Sequence, residues 1–277
     1  MTKSNCTHDS RFWAALLGWL PLSAMGCAEV AALPDDGPGD VVQAEQIDPS
    51  SLFAQWAALG SSRGEANDLR SWSQHGAPRS GNWEIDAGGT SVEQTVNGAP
   101  SYFLSAQDFI DVSISGTFEV SDGSDDDFIG FVFGYRDQAG SQTEGDFLLF
   151  DWRGGDQSTA SEGFTLTRIK GAVSNSASTN TPWWGHTHES MEVLASDYGP
   201  GKGWQPNREH EYSLTYLQDR VLIKVDGVEI FDLTGEFEGG RFGFYNLSQA
   251  KVRYSALTLE SVAPGFLAQG SNAPAAR

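Results

Sequence analysis

Alternation of apolar and polar residues dominates the chain from about residue 83 onward. In "IDVSISGTFEV" (residues 110–120), Ile110, Val112, Ile114, Phe118 and Val120 fall on one side of an extended chain, and the residues between them are mainly polar or acidic. A period of two is typical of an antiparallel strand that buries one face. The segment therefore predicts a strand at the surface of a two-layer structure.

A second strand pattern, "FIGFVFGY" (128–135), is apolar on both sides. Phe131, Phe133 and Tyr135 alternate with small residues, two of them glycines, so one face carries large rings and the other is nearly bare. Such a pattern favours a central strand whose small face allows close approach by another part of the protein. We expect the aromatic face to lie in the core.

Many short strand patterns with glycine-containing turns follow. They cover 146–152, 164–170, 211–217, 220–225, 228–233, 241–247 and 252–260. Asp226-Gly227 joins two of them and is a strong hairpin signal. The chain is thus predicted to be all-β, with an antiparallel β-sandwich or jelly roll over residues 83–262.

The segments outside the sandwich have different compositions. Residues 27–47 are rich in proline, glycine and acids and predict a flexible acidic tether. Residues 48–82 predict one short helix, at 48–60, followed by a connecting segment, since Asp48, Pro49 and Gly60 suit its ends. Residues 263–277 are expected to form a disordered tail.

The first 26 residues resemble an export signal. Lys3 and Arg11 precede the apolar core "FWAALLGWLPLSA" (12–24), which at thirteen residues is too short for a permanent membrane span. "AMGC" then ends at Cys27, which resembles the lipidated cysteine of a bacterial lipoprotein. The alternative is ordinary cleavage nearby, with Cys27 incidental.

Charge and cysteine content restrict the function further. With 17 Lys and Arg against 37 Asp and Glu, the net charge of −20 argues against a nucleic-acid partner and favours affinity for cations. The two cysteines, Cys6 and Cys27, both lie in the leader region, so the mature domain is expected to lack an internal disulfide.

Five stretches occur in an order that resembles a known family. They are "VEQTVNG" (92–98), "SGTFEV" (115–120), "DDDFIGFVFGYRD" (125–137), "GW" (203–204) and "GGRFGFYNLSQ" (239–249). Together they resemble the thrombospondin C-terminal domain. The resemblance implies a concanavalin-like, L-type-lectin-like sandwich with calcium-dependent extracellular adhesion.

The acidic loop in "SDGSDDDF" (121–128) is the foremost candidate for a metal site. Ca²⁺ takes six to eight hard oxygen ligands, which clustered carboxylates and backbone carbonyls supply. Asp122, Ser124 and Asp126 stand at alternate positions, and Asp125 and Asp127 match the family motif. The resemblance therefore favours Asp122, Asp125, Asp126 and Asp127 as calcium ligands. A solvated acidic turn is the alternative.

A glycosidase interpretation would rest on Glu84 and Asp86, two residues apart on one strand. A retaining mechanism needs a pair of carboxyl groups about 5–5.5 Å apart, and the further glutamate of the usual carboxylate strand is absent here. These two residues are therefore interpreted as surface carboxylates, and no catalytic residue is assigned.

The polar segment 171–188 contains further candidates. His186 and His188, beside Glu189, have a spacing that suits zinc, but nothing nearby completes four ligands, so surface histidines are the favoured interpretation. Trp183 and Trp184 could stack on sugar rings, although capping of the sandwich core is the favoured role.

The sequence thus predicts an exported calcium-binding, lectin-like adhesion module. Its partner would be an extracellular or cell-surface protein or a glycan, and it would touch a membrane only through a lipid on Cys27. The alternative is a carbohydrate-active enzyme or its accessory carbohydrate-binding module.

If Cys27 is lipidated, the protein partitions into membranes, because several acyl chains anchor a protein far more firmly than one. Cys27→Ser removes the thiol that carries the lipid and should release the protein. Metabolic labelling with a fatty acid checks this expectation. Labelling of wild type but not of Cys27→Ser is the expected result, and an unlabelled wild-type protein would leave simple secretion.

Overall fold

The computed structural model describes residues 68–138, 144–157, 160–173 and 181–262. In these ranges it contains fourteen β-strands, one short α-helix and one 3-10 turn. The strands are β1 Ser73–Gly76, β2 Trp83–Ile85, β3 Ser91–Gln94, β4 Ser101–Phe109, β5 Val112–Val120, β6 Phe128–Asp137, β7 Glu144–Arg153, β8 Gly163–Ala172, β9 Met191–Tyr198, β10 Glu209–Tyr216, β11 Arg220–Val225, β12 Val228–Thr234, β13 Gly240–Leu247 and β14 Val252–Ser261.

The strands form two seven-stranded sheets. Sheet 1 has the order β1-β4-β13-β6-β7-β8-β9, and sheet 2 has the order β12-β11-β10-β5-β14-β3-β2. The strand pairs within them are antiparallel. Residues from both sheets contribute to one core cluster, so the predicted all-β antiparallel sandwich is confirmed.

Aromatic rings from both sheets fill the space between them. Phe131 of β6 stacks on Phe150 of β7 at 4.8 Å between centroids, and it also meets Tyr212 of β10 in sheet 2 at 5.1 Å. Phe118 of β5 stacks on Tyr212 at 5.4 Å. Because aromatic rings bury large apolar areas, these contacts stabilise the packing of the two sheets against each other.

Strand β6 changes face near its end. Phe131 and Phe133 lie in the inter-sheet core, as predicted, but Tyr135 belongs to a second cluster that does not include them. The pairing with β7 shifts register between Phe133 and Arg136, and Gly134 there has a φ of +62°. A bulge adds a residue and reverses the alternation. The expectation that Tyr135 shares a face with the two phenylalanines is therefore wrong.

The second cluster covers the other face of sheet 1. It includes Phe128, Val132 and Tyr245, and Trp183 of the helix α1 (Thr181–Gly185) packs there at 5% exposure. Trp183 and Trp184 thus lie on a helix over the outward face of sheet 1. The prediction that they cap the core between the sheets is therefore wrong. Among the described residues, no helix has the length and apolar character needed to cross a bilayer.

The sandwich begins before the predicted boundary at residue 83. Strand β1 pairs with β4, and Leu69, the first residue of the 3-10 turn Leu69–Ser71, and Trp72, which follows it, are buried in the core. β1 reads "SQHG" and has no apolar alternation that the sequence could reveal. The predicted leader (1–26), the tether (27–47), the helix at 48–60, Cys27 and the tail (263–277) lie outside the described residues.

The hairpin predicted at Asp226-Gly227 is present between β11 and β12. Both residues have positive φ angles, 50° and 77°. This is the combination that a tight two-residue hairpin turn requires, and it explains the Asp-Gly pair.

We expect Phe133→Ala to lower the free energy of unfolding by roughly 3–5 kcal/mol, because the ring leaves a cavity in a tightly packed core. Phe133 is 1% exposed and contacts Tyr216 edge-on at 5.0 Å. Chemical denaturation measures the change. Val228→Ala is the control, since that side chain is 62% exposed and should change stability little. Equal stability of Phe133→Ala and wild type would contradict the assignment of this strand.

Candidate functional site

Three consecutive aspartates form the most acidic cluster of the described structure. Asp125, Asp126 and Asp127 lie in the connection between β5 and β6, just before β6 begins. One carboxylate oxygen from each lies within 4.8 Å of the others. The chain therefore holds three like charges at distances where they repel strongly unless a positive charge intervenes.

The first positive charge near the cluster is Arg153, at the end of β7. Its Nη2 atom lies 3.3 Å from Oδ1 of Asp127 and 3.8 Å from Oδ1 of Asp126. The side chains of Arg153 and Asp127 are 1% and 5% exposed, so this is a buried pair. A buried charge requires a partner, and each of these two groups makes the other tolerable.

Two aromatic rings fix the Arg153 guanidinium. Its central carbon lies 5.0 Å from the ring of Phe128 and 4.7 Å from the ring of Trp184. Its Nε donates to the backbone oxygen of Gly155 at 2.7 Å. These contacts hold the guanidinium through two rings and through Nε, so the cation has little freedom to follow the carboxylates.

Loops distant in sequence hold the backbone of the aspartate segment. The amide of Asp127 donates to Oε1 of Gln249 at 3.0 Å, and Nε1 of Trp204 donates to the carbonyl of Asp127 at 3.0 Å. The amide of Gly154 donates to the carbonyl of Asp126, also at 3.0 Å. The segment is therefore positioned by the loops after β7, β9 and β13 together.

Two side-chain amides approach the carboxylates from other loops. Asn97, between β3 and β4, donates from Nδ2 to Oδ2 of Asp125. Gln157, after β7, donates from Nε2 to Oδ1 of Asp126 at 2.6 Å and to Oδ1 of Asp127 at 3.1 Å. Each amide also carries an oxygen that can ligate a hard cation.

Gly155 leaves the room that the cluster occupies. A Cβ atom at this position would lie 2.2 Å from Oδ2 of Asp126, far inside any real contact distance. A larger residue would push the Asp126 carboxylate out of the cluster. Glycine at this position is thus a requirement of the site's shape.

The environment raises the pKa of Asp127 to about 7. Burial is the largest cause and the neighbouring Asp125 charge is the second, while Arg153 acts in the opposite direction. Arg153 alone therefore does not compensate the cluster. A further cation bound beside the three carboxylates would do so, because three negative charges and one guanidinium leave a net charge of −2.

Asp122 is placed differently from the other three predicted ligands. Its Oδ1 accepts from the amide and hydroxyl of Ser124 at 3.0 and 2.6 Å, and its Oδ2 accepts from Nζ of Lys251 at 2.9 Å. The hydrogen bonds from Ser124 and Lys251 lower its pKa. Asp122 and Ser124 therefore stabilise the turn and tie it to the β13–β14 connection, outside the group of three.

His186 and His188 do not form a shared metal site in the structure. His186 is buried and its Nε2 lies 2.7 Å from Oδ2 of Asp151 on β7, whereas Nδ1 of His188 accepts from the amide of Ser190. Burial lowers the pKa of His186, but the charge and hydrogen bond of Asp151 outweigh it and raise the pKa overall. The interpretation of His186 as a surface histidine is wrong, because its ring is buried against Asp151, a partner 35 residues away that local sequence does not reveal.

The two carboxylates of the glycosidase interpretation serve local structure. Oδ1 of Asp86 accepts from the amides of Thr90 and Ser91 at 2.8 and 2.9 Å, which closes the turn between β2 and β3. Glu84 is exposed and accepts from Asn82 at 2.8 Å. This engagement matches the expectation that both are surface carboxylates.

The contributions of Arg153, Gln157 and Asn97 were not foreseen in the sequence. Arg153 follows directly after the strand pattern "DFLLFDW" (146–152), and nothing in that pattern indicates that it faces the aspartates. Gln157 lies in a polar loop shortly after a pair of glycines, which gives no indication of its role. The resemblance could have pointed to Asn97, and to Trp204 and Gln249 as well, since each of the three lies in one of its five stretches. These stretches are scattered over the chain, yet they meet at the aspartate loop.

The sheet order and the acidic end of the molecule define a concanavalin-like β-sandwich with an aspartate cluster at one end. A family model for the thrombospondin C-terminal region matches residues 78–262, and the chain belongs to this family. It is 30% identical over 201 residues to thrombospondin-2 of Gallus gallus and 31% identical over 202 residues to thrombospondin-1 of Xenopus laevis. Each match covers 65% of this chain but only 16% of the relative, so the chain corresponds to a small part of those proteins.

Among solved structures, the chain is similar to the carbohydrate-binding module CBM66 from Bacillus subtilis. That match has a TM-score of 0.48 at 16% identity and covers 69% of this chain and 96% of the module. The lumenal domain of VIP36, in a form bound to Ca²⁺ and mannose, matches with a TM-score of 0.46 at 15% identity over 69% of this chain and 83% of that domain.

The raised pKa of Asp127 predicts a pH dependence of stability in chelator. The unfolded chain releases this proton near pH 3.8 and the folded protein near pH 7, so the unfolded state binds fewer protons between these values. Stability contributed by the protonated group is present below pH 3.8 and is lost as the pH rises to about 7. The slope approaches about 1.4 kcal/mol per pH unit for one proton.

Thermal melts of wild type and Asp127→Asn at pH 5 and pH 7.5, both in chelator, measure this effect. We expect the variant to gain stability relative to wild type at the higher pH. Asp219→Asn, an exposed carboxylate on the β10–β11 turn, is the matched control and should follow wild type. Parallel pH profiles for wild type and Asp127→Asn would refute a buried, proton-binding Asp127.

Proposed function

We propose that this chain is an extracytoplasmic, non-enzymatic recognition module of lectin-like fold that binds Ca²⁺ at Asp125, Asp126 and Asp127. The observation that carries the proposal is the cluster itself: three carboxylates within 4.8 Å, one of them buried, with a single guanidinium opposite them. The net charge of −2 that remains matches one divalent cation.

The chemistry of the donors supports calcium over other metals. The group contains only carboxylates, and the side-chain amides of Asn97 and Gln157, which contact it through their nitrogens, also carry oxygens of the hard type. Hard oxygen donors on several loops suit Ca²⁺, which tolerates irregular geometry, whereas Mg²⁺ demands a regular octahedron and Zn²⁺ prefers nitrogen and sulfur. Gly155 leaves the space that the Asp126 carboxylate occupies, which supports a site of defined shape beside the three aspartates.

Bound calcium would supply positive charge to the loops at this end of the sandwich. The aspartates, Arg153 and the two amides position one another, and a cation would replace mutual repulsion by attraction. Loops ordered in this way present a defined surface to a partner. The family implies an extracellular protein or glycan as that partner, and both remain part of the proposal.

A recognition role is favoured over hydrolysis by the positions of the carboxylates. Asp86 closes a turn and Glu84 bonds to a neighbouring side chain, so neither is held for acid–base work. The buried Asp127 is fixed against Arg153, which suits a structural cation site. A release of reducing sugar that depends on Glu84, tested with Glu84→Gln, would instead establish a hydrolase.

We expect Ca²⁺ to raise the melting temperature of the purified protein. A ligand that binds only the folded state stabilises it by about 2.7 kcal/mol at a hundredfold excess over Kd. Extracellular calcium modules often bind at about 10⁻⁴–10⁻³ M, so the melts require millimolar Ca²⁺ and, in parallel, Mg²⁺ and chelator. Magnesium should stabilise less.

The triple variant Asp125→Asn/Asp126→Asn/Asp127→Asn should lose the calcium effect, and Asp219→Asn should keep it. The single variant Asp122→Asn shows whether the turn aspartate belongs to the ligand set. An equal rise in wild type and the triple variant would place the ion elsewhere. No rise in either would make the loop a solvated acidic turn stabilised by Arg153 alone.

A further inference from the structure

The outward face of sheet 2 carries hydroxyl side chains on adjacent strands. The register places Ser213 of β10 beside Ser115 of β5, and Ser115 beside Thr258 of β14. The rows above and below repeat the pattern, with Thr215 beside Ser113 and Thr117 beside Ser255. These residues alternate with core residues along their strands, so the hydroxyls lie on the side away from the core.

A groove of about 330 Å³ runs over this face. Its floor contains Ser115, Thr117 and Ser213, and Glu211 and Lys224 also line it. The Asp226-Gly227 turn lies at one end, since Gly227 is part of the lining. The volume falls at the lower end of the range for small-molecule sites, which suits a short stretch of a longer polymer.

Several polar groups of the groove have no protein partner in the described part of the chain. The hydroxyls of Ser115 and Ser213 make no side-chain hydrogen bond there, and Glu211 and Lys224 form no ion pair. Nearby groups on the same face do pair: Thr117 bonds to Ser255 at 2.8 Å, and Arg253 pairs with Glu119 at 2.7 Å. Ser115, Ser213, Glu211 and Lys224 therefore all offer unpaired polar groups in the groove, where Thr117 is the paired member of the floor.

The chemistry of the groove points to a neutral, hydroxyl-rich ligand. One carboxylate and one ammonium group sum to zero charge, and a protein of net charge −20 repels polyanions. Tyr212 also lines the groove, but its side chain is 2% exposed and belongs to the core, so the floor has no outward-facing aromatic, methionine or arginine side chain of the kind that anchors the centre of protein interfaces. Hydroxyls that donate and accept, flanked by one strong acceptor and one strong donor, match the alternating groups of a sugar chain.

We propose that the groove formed by β5, β10 and β11 on the outward face of sheet 2 binds a neutral oligosaccharide. The proposal rests on the recognition function and names its ligand class. It does not rest on calcium, since none of the residues that line the groove belongs to the aspartate cluster. Glu211 accepts and Lys224 donates hydrogen bonds to sugar hydroxyls, and the serines bond to the groups between them.

Affinity electrophoresis through gels containing xyloglucan, galactomannan or β-1,3-glucan tests the proposal, with alginate and heparin as anionic comparators. We expect at least one neutral polysaccharide to retard the full chain and the anionic ones not to. Ser213→Trp fills the groove and should weaken the retardation at least tenfold. Ser196→Trp is the matched control, because Ser196 is an exposed serine on β9 of the other sheet.

Thermal melts establish that each variant is folded, and the double variant Glu211→Gln/Lys224→Gln tests the same groove with exposed or half-buried side chains if Ser213→Trp is destabilised. Retardation should persist in chelator. If calcium does not stabilise the protein but a neutral polysaccharide still retards it, the proposed calcium site is wrong and the proposed groove stands. Retardation by none of the neutral polysaccharides, only by the anionic ones, or equally in Ser213→Trp and wild type would overturn the groove.

Discussion

The burial of one carboxyl group, that of Asp127, is the constraint on which this end of the sandwich depends. A buried carboxylate is costly unless charge and hydrogen bonds compensate it, and here the compensation comes from the chain around it. Arg153 provides the charge, Gln249 and Trp204 hold the backbone, and Gln157 reaches the carboxylate oxygen. The end of β7 and the loop after it thus supply the partners of the carboxyl group, while the loops after β9 and β13 hold its backbone.

The rigidity that this arrangement requires comes from the aromatic core. The ring contacts between β6, β7 and β10 fix the strands, and the antiparallel pairing of β6 with β7 brings the segment before β6 and the loop after β7 to the same end of the sandwich. The loops around Asp127 contain little regular secondary structure, and hydrogen bonds to neighbouring segments hold them in place. The acidic cluster is thus a property of the assembled sandwich, with the sheets setting distances that no single segment determines.

Local pattern accounts for most of what could be predicted. The alternation in 110–120 and the Asp-Gly hairpin depend only on neighbours in sequence, and both agree with the structure. Tyr135 was misplaced because a bulge reverses the period, and β1 was missed because its four residues have no apolar alternation. β3, β4 and β9 were missed as well; in β9 every residue is half-buried or exposed, so its pattern differs little from that of a loop.

The candidate site divides in the same way. The three consecutive aspartates are visible in the sequence, because crowded carboxylates next to an apolar strand are unusual in themselves. Arg153 is not visible, since its role depends on the β6–β7 register and on rings from Phe128 and Trp184. The pairing of His186 with Asp151 was hidden for the same reason. Long-range partners of buried charges cannot be read from local sequence.

The contact of Arg153 with the rings of Phe128 and Trp184 links parts of the molecule that are distant in the chain. The guanidinium touches the carboxylates at its edge and the indole of Trp184 at its face, and Trp184 belongs to the helix on the outward face of sheet 1. The attraction between a cation and a ring depends on how strongly that cation is neutralised by its other neighbours. A change in the charge of the aspartate loop therefore changes the electrostatic environment of Trp184, although this residue lies on a separate segment. The fluorescence of Trp184 is placed to report that change.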